Sequence, residues 1–195
     1  DACDATVTLT FVDVTTPGNC AGNYSVTRTW TATDDCGNSS TASQTINVQD
    51  ITAPVIAPLP AATTIDCPAT PQFAQATATD ACDATVTLTF VDVTTPGNCA
   101  GNYSVTRTWT ATDDCGNSST ASQTINVQDI TAPVIAPLPA PTTIDCPATP
   151  SFAQATATDA CDPTVTLTFV DVTTPGNCAG NYSVTRTWTA TDDCG

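Results

Sequence analysis

A block of 79 residues returns along this chain almost unchanged. DACDATVTLTFVDVTTPGNCAGNYSVTRTW begins at Asp1 and again at Asp80, and at Asp159 it restarts as DACDPTVTLTF. Three matched positions differ: Ala62 is Pro141 in the next copy, Gln72 is Ser151 and Ala84 is Pro163. Repetition constrains the fold before any finer reading does. The period is too long for a solenoid coil, whose units run about 20–45 residues, and long enough for a small domain. The expectation is beads on a string. QDITAPVIAPLP, with three prolines, reads as the linker. In that frame residues 50–128 are one complete copy. Residues 1–49 are the C-terminal part of a copy, and 129–195 are the N-terminal part of another, lacking its last strand. The frame predicts that these residues are a window on a longer repetitive protein.

The inventory of side chains excludes much chemistry. The net charge is −16; all 19 acids are Asp, and there is no Lys, His, Glu or Met. The common general bases, Schiff-base amines and imidazole ligands are therefore missing, and no catalytic residue is predicted. Three arginines against 19 acids leave no patch for phosphates, so nucleic acid is not an expected partner. Apolar stretches such as 53–62 are broken by Pro54, Pro58 and Pro60, short of the roughly 20 residues a membrane helix needs, so no membrane insertion is expected in this segment. Eleven cysteines, with no CxxC pair and no His, read as disulfides rather than zinc ligands. Disulfides place the protein in an extracellular or cell-surface setting.

The local pattern is β. Thr6, Thr8 and Thr10 alternate with Val7, Leu9 and Phe11; Tyr24, Val26, Arg28, Trp30 and Ala32 alternate with Ser and Thr; Ala42, Gln44, Ile46 and Val48 repeat the pattern. A Pro-broken strand over 53–67 and a shorter one around 72–78 precede this trio. About five strands per copy predict an all-β fold: tandem immunoglobulin-like antiparallel β-sandwiches, disulfide-bonded. Thr27, Thr29 and Thr31, with Thr106, Thr108 and Thr110, are predicted outside, and Val105 and Trp109 inside. The Thr-rich face suits water or surface glycans, and Asn23 and Asn38 lie in N-x-S form. Arg28 shares the core-side face, so a partly buried pair with Asp13, diagonally across the hairpin, is expected.

ITAPVIAPLP, TTIDCP, TATDAC and above all TWTATDDCGNSSTASQTINVQD resemble the hyalin-repeat modules, and most closely the four-cysteine HYR-like domain found in tandem in surface and secreted proteins of Bacteroidota. The resemblance implies an immunoglobulin-like fold and roles in adhesion or as spacers, without an active site. Two readings follow: a non-enzymatic structural segment of a self-associating fibre at the cell surface, or the stalk of an adhesin whose binding domain lies elsewhere.

Two Asp-rich loops of the middle copy, Asp80-Ala-Cys-Asp83 and Asp113-Asp114-Cys-Gly-Asn117, are predicted to meet at one pole, where the linker arrives at Asp50. Oxygen ligands without nitrogen suit Ca²⁺. Asp50, Asp80, Asp83, Asp113, Asp114 and Asn117 are the candidate ligands, against the alternative that these residues only make turns.

Four cysteines per copy allow three connectivities. Following strand directions, Cys67 and Cys99 share the far pole and Cys82 and Cys115 the entry pole. This predicts Cys67–Cys99 and Cys82–Cys115, with copies Cys3–Cys36, Cys146–Cys178 and Cys161–Cys194, and leaves Cys20 alone. Sequential pairing (67–82, 99–115) and nested pairing (67–115, 82–99) are the rivals.

Overall fold

A computed structural model of the chain describes residues 6–195. Among them there is no helix. The first copy contributes β1 (Thr8–Pro17), β2 (Tyr24–Thr33) and β3 (Ser39–Val48). The middle copy contributes β4 (Val55–Ile56), β5 (Thr63–Asp66), β6 (Ala78–Thr79), β7 (Thr87–Pro96), β8 (Tyr103–Thr112) and β9 (Ser118–Gln128). The third contributes β10 (Val134–Ile135), β11 (Ala157–Thr158), β12 (Thr166–Pro175) and β13 (Tyr182–Thr191).

The fold is all-β and of the sandwich type. The complete copy has a four-stranded sheet, β5-β9-β8-β7, and a two-stranded ribbon, β4–β6. That makes six strands rather than about five. The Pro-rich segment cannot supply a continuous row of N–H donors, so it yields two short pieces instead of one long strand. One pairing also departs from the antiparallel expectation: β5 lies parallel to β9, with Thr63 opposite Ile125 and Asp66 opposite Gln128.

Chain contacts divide the molecule into two units, and β7, β8 and β9 contribute to both. The first unit takes residues to Pro60, Ala74–Val91 and Thr108–Ser122. Its core is Trp109, 1 % exposed, with Ala76, Ala111 and Pro54. Burying one such aromatic contributes about 1.5–3 kcal/mol. The second unit takes Ala61–Phe73, Asp92–Arg107 and Gln123–Gly195. Ile125 and Val127 are buried there while Asn126 and Gln128 are exposed, the alternation expected of a half-buried strand. In both units the apolar core is thin, and many side chains that alternate inward in the sequence remain exposed, Phe11 and Leu9 among them.

Two expectations about faces need correction. Thr106, Thr108 and Thr110 are half-buried, because β8 lies between two strands whose own Thr rows flank it; Thr106 and Thr124 are hydrogen-bonded through their hydroxyls at 2.9 Å. On β2, Thr27, Thr29 and Thr31 are half-buried for the same reason, with Thr27 bonded to Thr45. On β13, which has only β12 beside it, the equivalent Thr185, Thr187 and Thr189 are exposed. Trp109 is buried as expected, but Val105 is only half-buried.

The arginine pairs form in all three copies. Asp13 sits directly opposite Arg28 in the register, not diagonally, and both guanidinium contacts are 2.7 Å. Arg28 lies 4.0 Å over the Phe11 ring. In the middle copy Phe73 adds a ring 4.6 Å from Arg107, and that arginine is only 20 % exposed against 42 % for Arg28. Hydrogen bonding to arginine holds the carboxyls of Asp13, Asp92 and Asp171 below the usual range.

Candidate functional site at the junction between copies

The linker residue Asp50 organises the first junction. Residues 17–24 close a tight turn, with Gly18 N–H on the Asn23 carbonyl at 2.7 Å and Asn23 N–H on the Cys20 carbonyl at 3.1 Å. The Asn23 side-chain oxygen then accepts the Asp50 N–H at 2.6 Å. Gly22 permits this approach, since a Cβ there would lie 2.6 Å from the Cβ of Asp50. From the other side, the Asn117 amide donates to the Asp50 carbonyl at 3.3 Å, and Ser119 Oγ donates to the Pro54 carbonyl. Asp50 is thus gripped by the β1–β2 turn of one copy and the β8–β9 loop of the next.

The second junction repeats the arrangement. Asn102 accepts the Asp129 N–H at 2.6 Å, and Gly101 leaves room where a Cβ would lie 2.6 Å from the Asp129 Cβ.

The loops that meet Asp50 are built by carboxylates serving as backbone acceptors. Asp83 accepts N–H bonds from Thr85 and Asp114, both at 2.8 Å, and these two bonds hold its carboxyl low. Asp113 accepts the N–H and the side-chain amide of Asn117 at 2.7 and 2.8 Å. In the third copy Asp162 accepts from Asp193, which lowers its carboxyl most, and from Thr164. The six residues predicted as ligands therefore fall into two groups. Asp83, Asp113 and Asn117 make turns, and Asp114 is exposed with one oxygen 3.4 Å from the Ala21 N–H. Asp50 and Asp80 come together instead: they cluster with Cys82, their ligand atoms all within 4.8 Å of one another. Asp129, Asp159 and Cys161 form the equivalent cluster.

The disulfides join these loops, and they correct the predicted pairing. The bonds are Cys20–Cys115, Cys67–Cys161 and Cys99–Cys194, with Cα separations of 5.1, 5.8 and 5.3 Å. Each links residues 94 or 95 positions apart, so each runs from one copy to the next. Cys67–Cys99, Cys82–Cys115, Cys146–Cys178 and Cys161–Cys194 are not formed. Cys36, Cys82, Cys146 and Cys178 carry free, exposed thiols. Cys3, the predicted partner of Cys36, lies outside the described residues. Cys20, predicted to be alone, is bonded. The physical reason is the short linker: the grip on Asp50 brings the far turn of one copy against the entry loops of the next, inside bonding distance. The cross-copy bonds are what sequence reasoning missed. The signal available was the 79-residue period itself, which makes a spacing of 16 within a copy equivalent to 95 across copies.

The two glycosylation signals are occupied internally. The Asn23 amide donates to Asn19 at 2.8 Å while its oxygen holds Asp50, and the Asn38 amide donates to Asp34 at 2.8 Å.

Residues 55–127, within the middle copy, match the family described as HYR-like domain with 4 cysteines. Among curated proteins none matches. Solved structures with similarity include the protocadherin gammaB7 EC3-6 cis-dimer, at 16 % identity and a TM-score of 0.33 over 91 % of this chain and 59 % of that one. Extracellular cadherin domains 1–4 of protocadherin gamma B7 give 15 % identity and a TM-score of 0.34 over 96 % and 58 %. The chain spans under three-fifths of the length of these structures.

Proposed function

We propose that this chain is a segment of a long, non-enzymatic extracellular fibre, in which HYR-like copies framed as 1–49, 50–128 and 129–195 are joined end to end at the cell surface. The observation that carries the reading is the bonding rule. Every disulfide among the described residues ties one copy to the next, so load passes between copies through covalent bonds as well as through the linker. Disulfides also support an oxidising, extracellular location.

Applied to the 195-residue segment by itself, the rule predicts a bond between two copies of the segment. Cys178 is the positional copy of Cys99, and Cys36 that of Cys115; both are free and exposed. Cys178 of one molecule and Cys36 of another repeat the chemistry of the Cys99–Cys194 bond. Two thiols lose two protons and two electrons to an oxidant of the disulfide class, which leaves as two thiols.

The experiment is oxidation of the purified chain with oxidised glutathione at rising protein concentration. A ladder of oligomers on a non-reducing gel, filaments by negative stain, and loss of the ladder in Cys178→Ser are expected. A chain that stays monomeric contradicts the fibre and returns the other reading, a stalk or spacer of a surface adhesin.

A further inference from the structure

We propose that each junction binds one Ca²⁺, held by the Asp50–Asp80 pair at the first and the Asp129–Asp159 pair at the second. The site is independent of the fibre reading.

Each carboxylate is oriented by backbone N–H groups on one oxygen only. Asp50 Oδ1 accepts from Thr52 at 3.0 Å, and Asp80 Oδ1 accepts from Cys82 and Asp83 at 2.8 and 3.1 Å. In the second junction Asp129 Oδ1 accepts from Thr131 at 2.9 Å, and Asp159 Oδ1 from Cys161 and Asp162 at 2.7 and 3.1 Å. The other oxygen of all four, Oδ2, is shielded from solvent and has no hydrogen-bond partner. Asp50 is 5 % exposed and Asp129 8 %. Paired carboxylates brought this close out of water repel, and a buried acceptor without a donor is costly.

No side chain relieves them. The chain has no Lys or His, and each of its three arginines is engaged with Asp13, Asp92 or Asp171. A small cation from solution satisfies both oxygens of a pair at once. The donor set selects its kind. At the second junction Cys161 is committed to Cys67, so its sulfur is no thiolate ligand; at the first Cys82 keeps a free thiol, and the carboxylate oxygens are the donors that both junctions share. Oxygen donors select a hard cation, and dehydrated carboxylates favour Ca²⁺, with water completing its shell, over Mg²⁺, which gives up water reluctantly. The arrangement occurs twice, one period apart, at the linker residue that the Asn23 or Asn102 turn already grips. A bound ion therefore ties the linker to the loop of the copy it enters.

The test uses the full chain with the free cysteines Cys36, Cys82, Cys146 and Cys178 each replaced by Ser, oxidised and with its monomer fraction isolated by size exclusion, so that the result does not depend on assembly. Calorimetric titration with Ca²⁺ is expected to give two sites. Asp159→Asn should leave one, and Asp80→Asn with Asp159→Asn none; Asp145→Asn, at an exposed position, should leave both. Tryptophan emission, from Trp30, Trp109 and Trp188 together, reports whether each variant folds as the parent does. On the unsubstituted aspartates, Ca²⁺ should raise the melting temperature and a chelator should reverse the rise, while equimolar Mg²⁺ does less. Absence of binding and of any melting shift, or a stoichiometry unchanged by the double substitution, overturns the proposal.

Discussion

At the residue scale, two glycines with the same neighbours separate packing from conformation. Gly101 lies against Asp129, whereas a Cβ on Gly180 would meet nothing within 4 Å. Gly101→Ala should lower stability by about 1–3 kcal/mol, the usual cost of overpacking, and should reduce the yield of the Cys99–Cys194 bond. Gly180→Ala should do neither; melting curves and thiol titration check both. The acidic residues set a second expectation. Asp83, Asp92 and Asp171 have carboxyls lowered in the folded chain. Groups of that kind stabilise the fold above the unfolded carboxyl range, about pH 4, and the contribution is lost as pH falls through their folded values. Asp193, raised by its bond to Asp162, works in the opposite sense, but it is outnumbered. The melting temperature should therefore be flat near neutrality and drop below about pH 4, and Asp92→Asn should shrink the drop. Asn23 and Asn102 should be found unmodified by peptide mass spectrometry, since each side chain is used at both ends.

At the element scale, the repeat supplies its own deletion experiment. TTID at 63–66 is strand β5, paired with β9; the same four residues at 142–145 form no strand. The counterpart of β9 for the third copy would begin at residue 197, past these 195 residues. Likewise β3 has the sequence of β9 apart from its final Gln, yet it is almost wholly exposed, with no counterpart of β5 beside it. Propensity alone does not make the edge strand; its ladder partner does. Extending the chain with residues copied from 117–128 should turn 142–145 into strand and protect their amides from hydrogen exchange. No gain in protection would contradict the parallel pairing. The long strands and the Asp–Arg pair were legible in the sequence because period-2 alternation is a local property. The parallel β5–β9 contact was not, because it joins residues 62 apart, and nothing local marks its direction.

At the scale of the whole molecule, the predicted bonds within copies gave way to bonds between copies. Cys67 donates its N–H to the Gln128 carbonyl beside linker Asp129, which the turn after Cys99 holds through Asn102, while the Asp114 N–H next to Cys115 donates to Asp83 next to Cys82. The assumption that failed is that a shared pole means a shared bond. Near-identical copies give every cysteine an equivalent partner one period away, and sequence spacing cannot choose between them. Linker geometry chooses. Closing loops of nearly 100 residues adds roughly 4–5 kcal/mol per bond in the chain-entropy model, so in domains with so thin a core these bonds are a large share of stability. Reduction should accordingly lower the melting temperature steeply at constant pH.

The central claim, that disulfides run from copy to copy, is tested most directly by mapping them. Trypsin cleaves after Arg28, Arg107 and Arg186, giving fragments of distinct mass. In the Cys67→Ser, Cys161→Ser chain, digested without reduction after alkylation of free thiols, residues 1–28 should be linked to 108–186 through Cys20–Cys115, and 29–107 to 187–195 through Cys99–Cys194. Residues 187–195 linked instead to 108–186, or 29–107 linked to 108–186, would mean bonding within copies and would contradict the account.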